Sequence, residues 1–167
     1  ACALECRPGD DAASLRTHFK ALKRYGAPPS ELVDHVRHSS ATPWNDIRLL
    51  GFMREFATLL YFRVDTPHRS PEECLEILKS LLTAGFPVTA GISIPHSISS
   101  QSVLPFRPNY ESYRGGLVIL LVGYFCRTPG TGAFLFRNSW GPKWGDSGYG
   151  WLPFEVITQG QAADFWT

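Results

Sequence analysis

Two stretches of the chain repeat apolar residues at the spacing of an α-helix. The first covers residues 10–25, and its apolar stripe is formed by Leu15, Phe19 and Leu22. Asp10 or Asp11 can cap the first amides of this helix, and Gly26 can end it because glycine readily adopts the left-handed conformation that follows a helix. The pattern therefore predicts an amphipathic helix near the start of the chain.

The second helical pattern follows Ser70 and carries the signals of a helix start. Ser70 is the expected N-cap, Pro71 the first helical residue and Glu73 the partner in a capping box. Gly85 is expected to end this helix. Its buried stripe should consist of Leu75, Leu78 and Leu82. A weaker helical pattern covers residues 45–59.

Strand patterns dominate the second half of the chain. Short apolar or alternating runs predict strands over residues 60–64, 87–94, 117–125 and 133–138. The stretch "TPGTG", residues 128–132, has the composition of a hairpin turn, whereas the polar stretch from Pro95 to Arg114 is long enough to form a surface or a cleft wall. Helices followed by mostly antiparallel strands predict an α+β fold in one unit, with a mainly helical part, 1–86, and a mainly β part, 87–167.

The composition is that of a globular domain. Of the 167 residues, 44% are apolar and 19% are charged, so the chain can bury a core. Sixteen basic residues face fifteen acidic ones, and the resulting net charge of +1 does not indicate a nucleic-acid partner. No apolar run reaches the roughly 20 residues of a membrane span. No signal peptide is visible at the N-terminus, which favours a cytoplasmic location.

The four cysteines stand at positions 2, 6, 74 and 126, without the paired spacing of a zinc site. No metal and no cofactor are therefore expected. A disulfide between Cys2 and Cys6 is left open by the spacing. Cys74 falls on the apolar face of the second helix and is interpreted as a small buried thiol rather than as a nucleophile.

The densest pattern of unusual residues lies in "NSWGPKWGDSGYG", from Asn138 to Gly150, which holds two tryptophans and four glycines. The glycines permit turns with positive φ. The side-chain carbonyl of an Asn at a strand end can accept a hydrogen bond from an imidazole N–H and so fix the tautomer and angle of that ring, while a neighbouring Trp keeps water away. An aromatic turn with an incidental Asn is the alternative, but the number of matched positions favours a site.

This segment and the strand before it resemble the papain-like cysteine peptidases. "NSWGPKWGDSGYGWLP" matches the Asn-bearing segment of that family, and "GGLVILLVGYF" matches its His-bearing strand, which ends in the same Val-Gly-Tyr. The stretches "ASLRTHFKALKRYGAPPSEL" and "ILKSLLTAGFPVTAGISI" and the closing "ADFW" look like bacterial members. The resemblance implies a papain-like fold, in which a helical part is followed by an antiparallel sheet or barrel-like part.

The family cuts peptide bonds with a Cys nucleophile, a His base and an Asn that orients the His, and the chain matches only part of this set. Asn138 matches the orienting Asn and Trp140 the ring that covers it, whereas the His position falls on Leu117. The Gly/Cys/Trp-containing segment that bears the family's nucleophile has no counterpart. We therefore expect the chain to match only the C-terminal two-thirds of the family domain.

The resemblance also implies which residues line the cleft. Gly91 belongs to the strand that lines it, His96 follows that strand, and Gly115 and Gly116 directly precede Leu117. His96 could approach the site, although a solvated loop histidine is the simpler interpretation.

Leucine can neither take nor give a proton, so peptide cleavage by the family mechanism is not expected. The first hypothesis is a catalytically inactive homologue that binds a peptide or protein, or regulates one, through the former substrate groove. The alternative is the C-terminal part of a split, processed or inactivated cysteine peptidase whose Cys-bearing segment lies on a companion chain. A structural module of a larger protein is the third hypothesis. Neither a nucleic acid nor a membrane is expected as a partner.

Overall fold

The computed structural model of the chain describes residues 14–27, 51, 53–55, 57, 60–95, 103–104, 113–128 and 130–167. The contacts divide the chain into two units, Ala1–Tyr61 and Phe62–Thr167. Cys2, Cys6 and His96 lie outside the described residues. No helix found among the described residues is long and apolar enough to cross a membrane.

The first unit contains helix α1, Leu15–Tyr25, which begins later than the sequence pattern predicts. Its N-cap is Ser14, whose side chain accepts a hydrogen bond from a backbone N–H of the first turn, rather than Asp10 or Asp11. The hydroxyl thereby satisfies an amide that has no partner within the helix. Gly26 ends the helix as predicted, with a φ of 75°.

Of the two elements predicted between the two main helices, a helix over 45–59 and a strand over 60–64, only part of the first is present among the described residues. Residues 53–55 are helical, inside the weak pattern predicted for 45–59. The strand predicted for 60–64 is wrong, because Arg63 makes only an isolated bridge, to Trp166. A short alternating run becomes a strand only where neighbouring strands pair with it over several residues.

In the second unit, helix α2, Pro71–Thr83, has the predicted capping box. The Glu73 N–H donates to the Ser70 hydroxyl at 3.1 Å, and the Ser70 N–H donates to the Glu73 carboxylate at 2.8 Å. Gly85, at a φ of 86°, follows the end of the helix closely. The buried residues of α2 are Cys74, Leu75 and Leu78.

The described part of the second unit forms a five-stranded antiparallel sheet. In chain order the strands are β1 Val88–Pro95, β2 Tyr113–Thr128, β3 Thr131–Arg137, β4 Tyr149–Pro153 and β5 Ala162–Trp166. Their order across the sheet is β4-β3-β2-β1-β5. A short helix, α3, Phe154–Thr158, lies between β4 and β5 in the chain. Thr128 pairs with Thr131, so the predicted hairpin is present, and Gly130 turns it with a φ of 80°.

One face of the sheet is buried beneath α2 and α3. The buried residues of its three central strands are Val88, Ala90, Ile92, Ile94, Ile119, Leu121, Phe134 and Phe136. The opposite face includes Val118 and Val122, whose side chains are exposed. Because side chains alternate between the two faces of a strand, this division fixes which residues of β2 and β3 point toward the core.

The end of β5 is held by a clamp formed by Arg63, Asp65, Asp164 and Phe165, called here the Asp65 clamp. The Asp65 carboxylate accepts the backbone N–H groups of Asp164 and Phe165, at 2.8 and 2.9 Å. It also accepts both arms of the Arg63 guanidinium, at 3.0 and 2.9 Å. Burial alone would raise the pKa of the Asp65 carboxyl, but these hydrogen bonds outweigh it and hold that pKa below its ordinary value.

Candidate functional site

Asn138 lies directly after β3, where the chain leaves the sheet. Phe134 and Phe136 occupy the buried face of β3, and Asn138 continues this alternation, with only 5% of its surface exposed. Its backbone N–H donates to the carbonyl of Gly148 at 2.9 Å. The strand end therefore carries a buried side-chain amide.

The buried amide of Asn138 lacks hydrogen-bond partners. Among the described residues, its Oδ1 and Nδ2 are the buried side-chain nitrogen and oxygen atoms for which no partner is found. A buried polar group without a partner typically costs about 1–3 kcal/mol. The arrangement thus has a donor and an acceptor available for a group that the described residues do not supply.

The turn after Asn138 is built around two tryptophans. Trp144 is buried, and its ring centroid lies 5.7 Å from that of Phe136. Trp140 is 43% exposed and meets Trp144 edge-on, with ring centroids 5.8 Å apart. Trp144 anchors the turn in the core, while Trp140 stays at the surface; its role as a cover for Asn138 remains a prediction.

Glycine is required where this turn closes. Gly148 has a φ of 92°, and a Cβ there would lie 3.3 Å from the carbonyl oxygen of Gly141. The Gly148 N–H donates to the carbonyl of Trp144 at 2.8 Å. The positive φ and the close approach explain the glycine spacing of the motif.

Leu117 lies on the neighbouring strand, β2, opposite Ile92 of β1. The pairing of β2 with β3 stops on this side at Leu120 and Arg137. Along β3, Asn138 follows Arg137 by one position, and along β2, Leu117 precedes Leu120 by three positions. Leu117 shares the face of the buried Ile119 and packs, partly buried, against the core. Leu117 and Asn138 therefore belong to the same face of adjacent strands, and Leu117 offers only carbon there.

Among the residues that the structure describes, one edge of β2 beside this site has no neighbouring strand; it consists of Gly116 and Val118 and is called here the free edge. Gly116 pairs with Ser93 of β1, yet the Ser93 N–H donates to Gln161, on the far side of β1, at 2.9 Å. In an antiparallel pair, both members then direct their N–H and C=O groups away from each other. Gly116, and Val118 two residues later, therefore face the side of β3.

On that side β3 is too short to reach the free edge. The registered pairs of β2 with β3 begin only at Leu120. No described residue pairs with Gly116 or Val118 there. An unpaired strand edge of this kind can accept an added strand.

The other predicted cleft residues lie close to this edge. Gly115 pairs with Ile94 and Gly91 pairs with Val118, so β1 and β2 bring the predicted glycines together around Leu117. Val118, which is 47% exposed, is a residue at this edge that was not predicted from the sequence. Strand alternation could have placed it outward, but its pairing with Gly91 depends on a register that the sequence does not reveal.

Neither of the described cysteines is placed to act as a nucleophile. Cys74 is buried in α2, and burial raises the pKa of its thiol, which keeps it protonated. Cys126 is exposed but lies nine positions from Leu117 along β2, about 30 Å at the rise of a strand. The interpretation of Cys74 as a buried structural thiol agrees with this placement.

Comparisons with known proteins cover most of the chain. The family described as "Papain family cysteine protease" matches residues 57–161. An uncharacterized peptidase C1-like protein of Acanthamoeba polyphaga mimivirus is 28% identical over 166 residues, covering 94% of this chain and 51% of that protein. The cathepsin B-like CP3 of Giardia intestinalis is 30% identical over 155 residues, covering 87% of this chain and 49% of that protein.

A solved structure gives the same result in three dimensions. Xylellain, a cysteine protease from Xylella fastidiosa, matches with a TM-score of 0.73 and 26% identity, over 94% of this chain and 61% of that one. The chain spans about half the length of the curated relatives it matches.

Proposed function

The chain belongs to the papain family of cysteine proteases, and from this membership we propose that it is a catalytically inactive member that binds a peptide or protein segment. The predicted papain-like α+β fold is confirmed by the helices and antiparallel sheet and by the match to xylellain. The observation that carries the proposal is that Asn138 is buried while the neighbouring strand carries the hydrocarbon side chain of Leu117 on the same face.

The loss of catalysis follows from what position 117 must do in the family mechanism. An imidazole there would help to form the attacking thiolate and would later protonate the leaving amine. Leucine does neither, and loss of general acid–base help typically costs about 10²–10⁴-fold in rate. With Cys74 buried and Cys126 far along the strand, no described thiol offers a second route.

Peptide binding is supported by the free edge of β2. Gly116 and Val118 present backbone N–H and C=O groups that pair with no described residue, and an extended peptide can satisfy them by strand addition. Gly115 and Gly116 are exposed and lack side chains, so the ligand backbone can approach closely. Val118, exposed opposite Gly91, adds an apolar contact beside this edge.

A second candidate is the C-terminal part of a split or processed peptidase. It is favoured by one observation, which is that neither of the described cysteines is placed to act as the family's nucleophile. A companion chain would then carry the Cys-bearing segment and would co-purify with this one. Leu117 would still leave that assembly without the family's base.

Panning a random decapeptide library on the whole chain, followed by calorimetric titration of the selected peptides, tests the proposal. We expect saturable binding in the micromolar range. Replacing alternate residues of a selected peptide by proline removes its main-chain donors and should abolish binding. A chain that selects no peptide would contradict the binding role.

A further inference from the structure

We infer that the side-chain amide of Asn138 binds a main-chain peptide group of the ligand. This inference rests on the proposed peptide binding and deepens it, because it names the group that reads the ligand and the chemical group that is read. The ligand class is an extended polypeptide recognised through its backbone.

The first argument is the unmet hydrogen-bonding capacity of Asn138. Asn138 is only 5% exposed, and both polar atoms of its side-chain amide lack partners among the described residues. Leu117, on the same face of the next strand, cannot supply one. A carboxamide offers one donating and one accepting side, which complement the C=O and N–H of a peptide group.

The second argument is the position of Asn138 relative to the free edge. A strand added to Gly116 and Val118 would occupy the line that β3 leaves at Arg137, and Asn138 is the first residue past that point. An added strand directs alternate peptide groups toward β2 and away from it. The segment that begins with Asn138 leaves the sheet at the end of this line, with the Asn138 side chain on the buried face.

Ligand entry requires a local opening, because the amide is enclosed in the free protein. Trp140 is the ring of this turn with room to move, since it is 43% exposed and touches Trp144 only edge-on. Its displacement on binding would change the environment of the indole. The intrinsic fluorescence of the chain should therefore change during the titration.

The test couples a protein variant to a ligand variant. Asn138→Leu keeps the size of the side chain but removes its amide, and each selected decapeptide is also N-methylated at one backbone nitrogen at a time. We expect Asn138→Leu to weaken peptide binding about tenfold, the effect of one lost hydrogen bond in a dry site. We also expect it to raise the Tm of the free protein, because a buried polar group without a partner is removed.

The decisive comparison is a double-mutant cycle. At one ligand position, N-methylation should weaken binding to the wild-type chain and have no further effect on Asn138→Leu. Ser139→Ala, at the exposed neighbouring residue, is the matched control and should bind and melt like the wild type.

The outcomes separate the two proposals. If selected peptides bind but every N-methylation costs the same in both proteins, Asn138 does not touch the ligand and only this inference fails. If no peptide binds the wild-type chain, the proposed function fails and this inference fails with it. If Asn138→Leu does not fold, the double-mutant cycle is repeated with Asn138→Asp, which keeps the acceptor but loses the donor. The inference then requires that N-methylation at one ligand position affects binding to the wild-type chain but has no further effect on this variant.

Discussion

Asn138 and Leu117 show how the meaning of a retained residue depends on its neighbour. The amide of Asn138 is buried at the end of β3 without a partner among the residues that the structure describes. With an imidazole at position 117, that amide would have a partner on the adjacent strand. With leucine there, the amide is left available, and its burial costs stability unless a ligand satisfies it.

Leu117→His should restore a partner to Asn138 without restoring proteolysis. Leu117→Phe is the matched control, since it also places a ring at this position but adds no hydrogen bond. We expect the histidine variant to exceed the phenylalanine variant in free energy of unfolding by about 1–2 kcal/mol, the value of a hydrogen bond to a buried group. Urea denaturation measures this difference, and equal stability of the two variants would show that position 117 does not reach Asn138.

At the scale of single residues, the sequence was sufficient to find the candidate site but not its state. The Asn-Ser-Trp-Gly spacing and the Val-Gly-Tyr strand end identified Asn138, Trp140 and Leu117. Whether the Asn138 amide has a hydrogen-bond partner depends on which side chains the fold brings next to it. The free edge of β2 depends on the register of the strands. Both are tertiary properties that no local pattern encodes.

At the scale of elements, local signals predicted helix α2 and failed where distant partners decide. Ser70, Pro71 and Glu73 lie within four residues of one another, so the sequence contains the whole capping box. Whether residues 60–64 form a strand depends instead on how many of them pair with the end of β5, which lies about a hundred residues later in the chain. Their apolar alternation could not show that only Arg63 would form a bridge.

The free edge of β2 yields a prediction that compares two adjacent residues. Gly116→Pro removes an N–H that no described residue accepts, so the free energy of unfolding should change little while peptide affinity falls. Leu117→Pro removes an N–H directed toward β1 and leaves its acceptor without a partner, which should cost about 1–3 kcal/mol. Thermal melts and peptide titrations of both variants check this, and a large loss of stability in Gly116→Pro would mean that the edge is already paired.

The Asp65 clamp should make the second unit sensitive to acid. The pKa of Asp65 is lowered in the folded protein, so its contribution is fully present above the ordinary Asp value of about 4 and is lost as pH falls through the folded pKa. We expect Asp65→Asn to lose about 2 kcal/mol at neutral pH, since it gives up charge-assisted hydrogen bonds. Its stability should also fall less steeply than that of the wild type below pH 4 or so.

Chemical denaturation across acidic pH measures this effect. Glu76→Gln is the control, because the exposed carboxylate of Glu76 pairs with Lys79 and should contribute little. If Asp65→Asn and the wild type follow parallel acid profiles, the clamp does not hold the end of β5.

At the scale of the whole molecule, the chain has a papain-like α+β fold. The order of α2, β1, β2 and β3 was predictable because it follows from periodicity and turn signals along the chain, whereas β4, α3 and β5 were not predicted. The strand order β4-β3-β2-β1-β5 was not predictable, because it brings β5 beside β1 across some 70 residues of sequence. The free edge of β2 does not follow from that order but from the end of β3 at Arg137, whose partner in β2 is Leu120.

The most direct measurement of the central claim is the mass spectrum of a bound peptide after prolonged incubation. The purified chain is mixed with a selected peptide at a concentration that saturates it, under reducing conditions that keep any thiol free, and the peptide is then recovered and weighed. The account predicts that the peptide is bound and returned intact, because position 117 cannot move a proton. Steady accumulation of two fragments from wild-type protein, absent from a sample without it, would contradict the account.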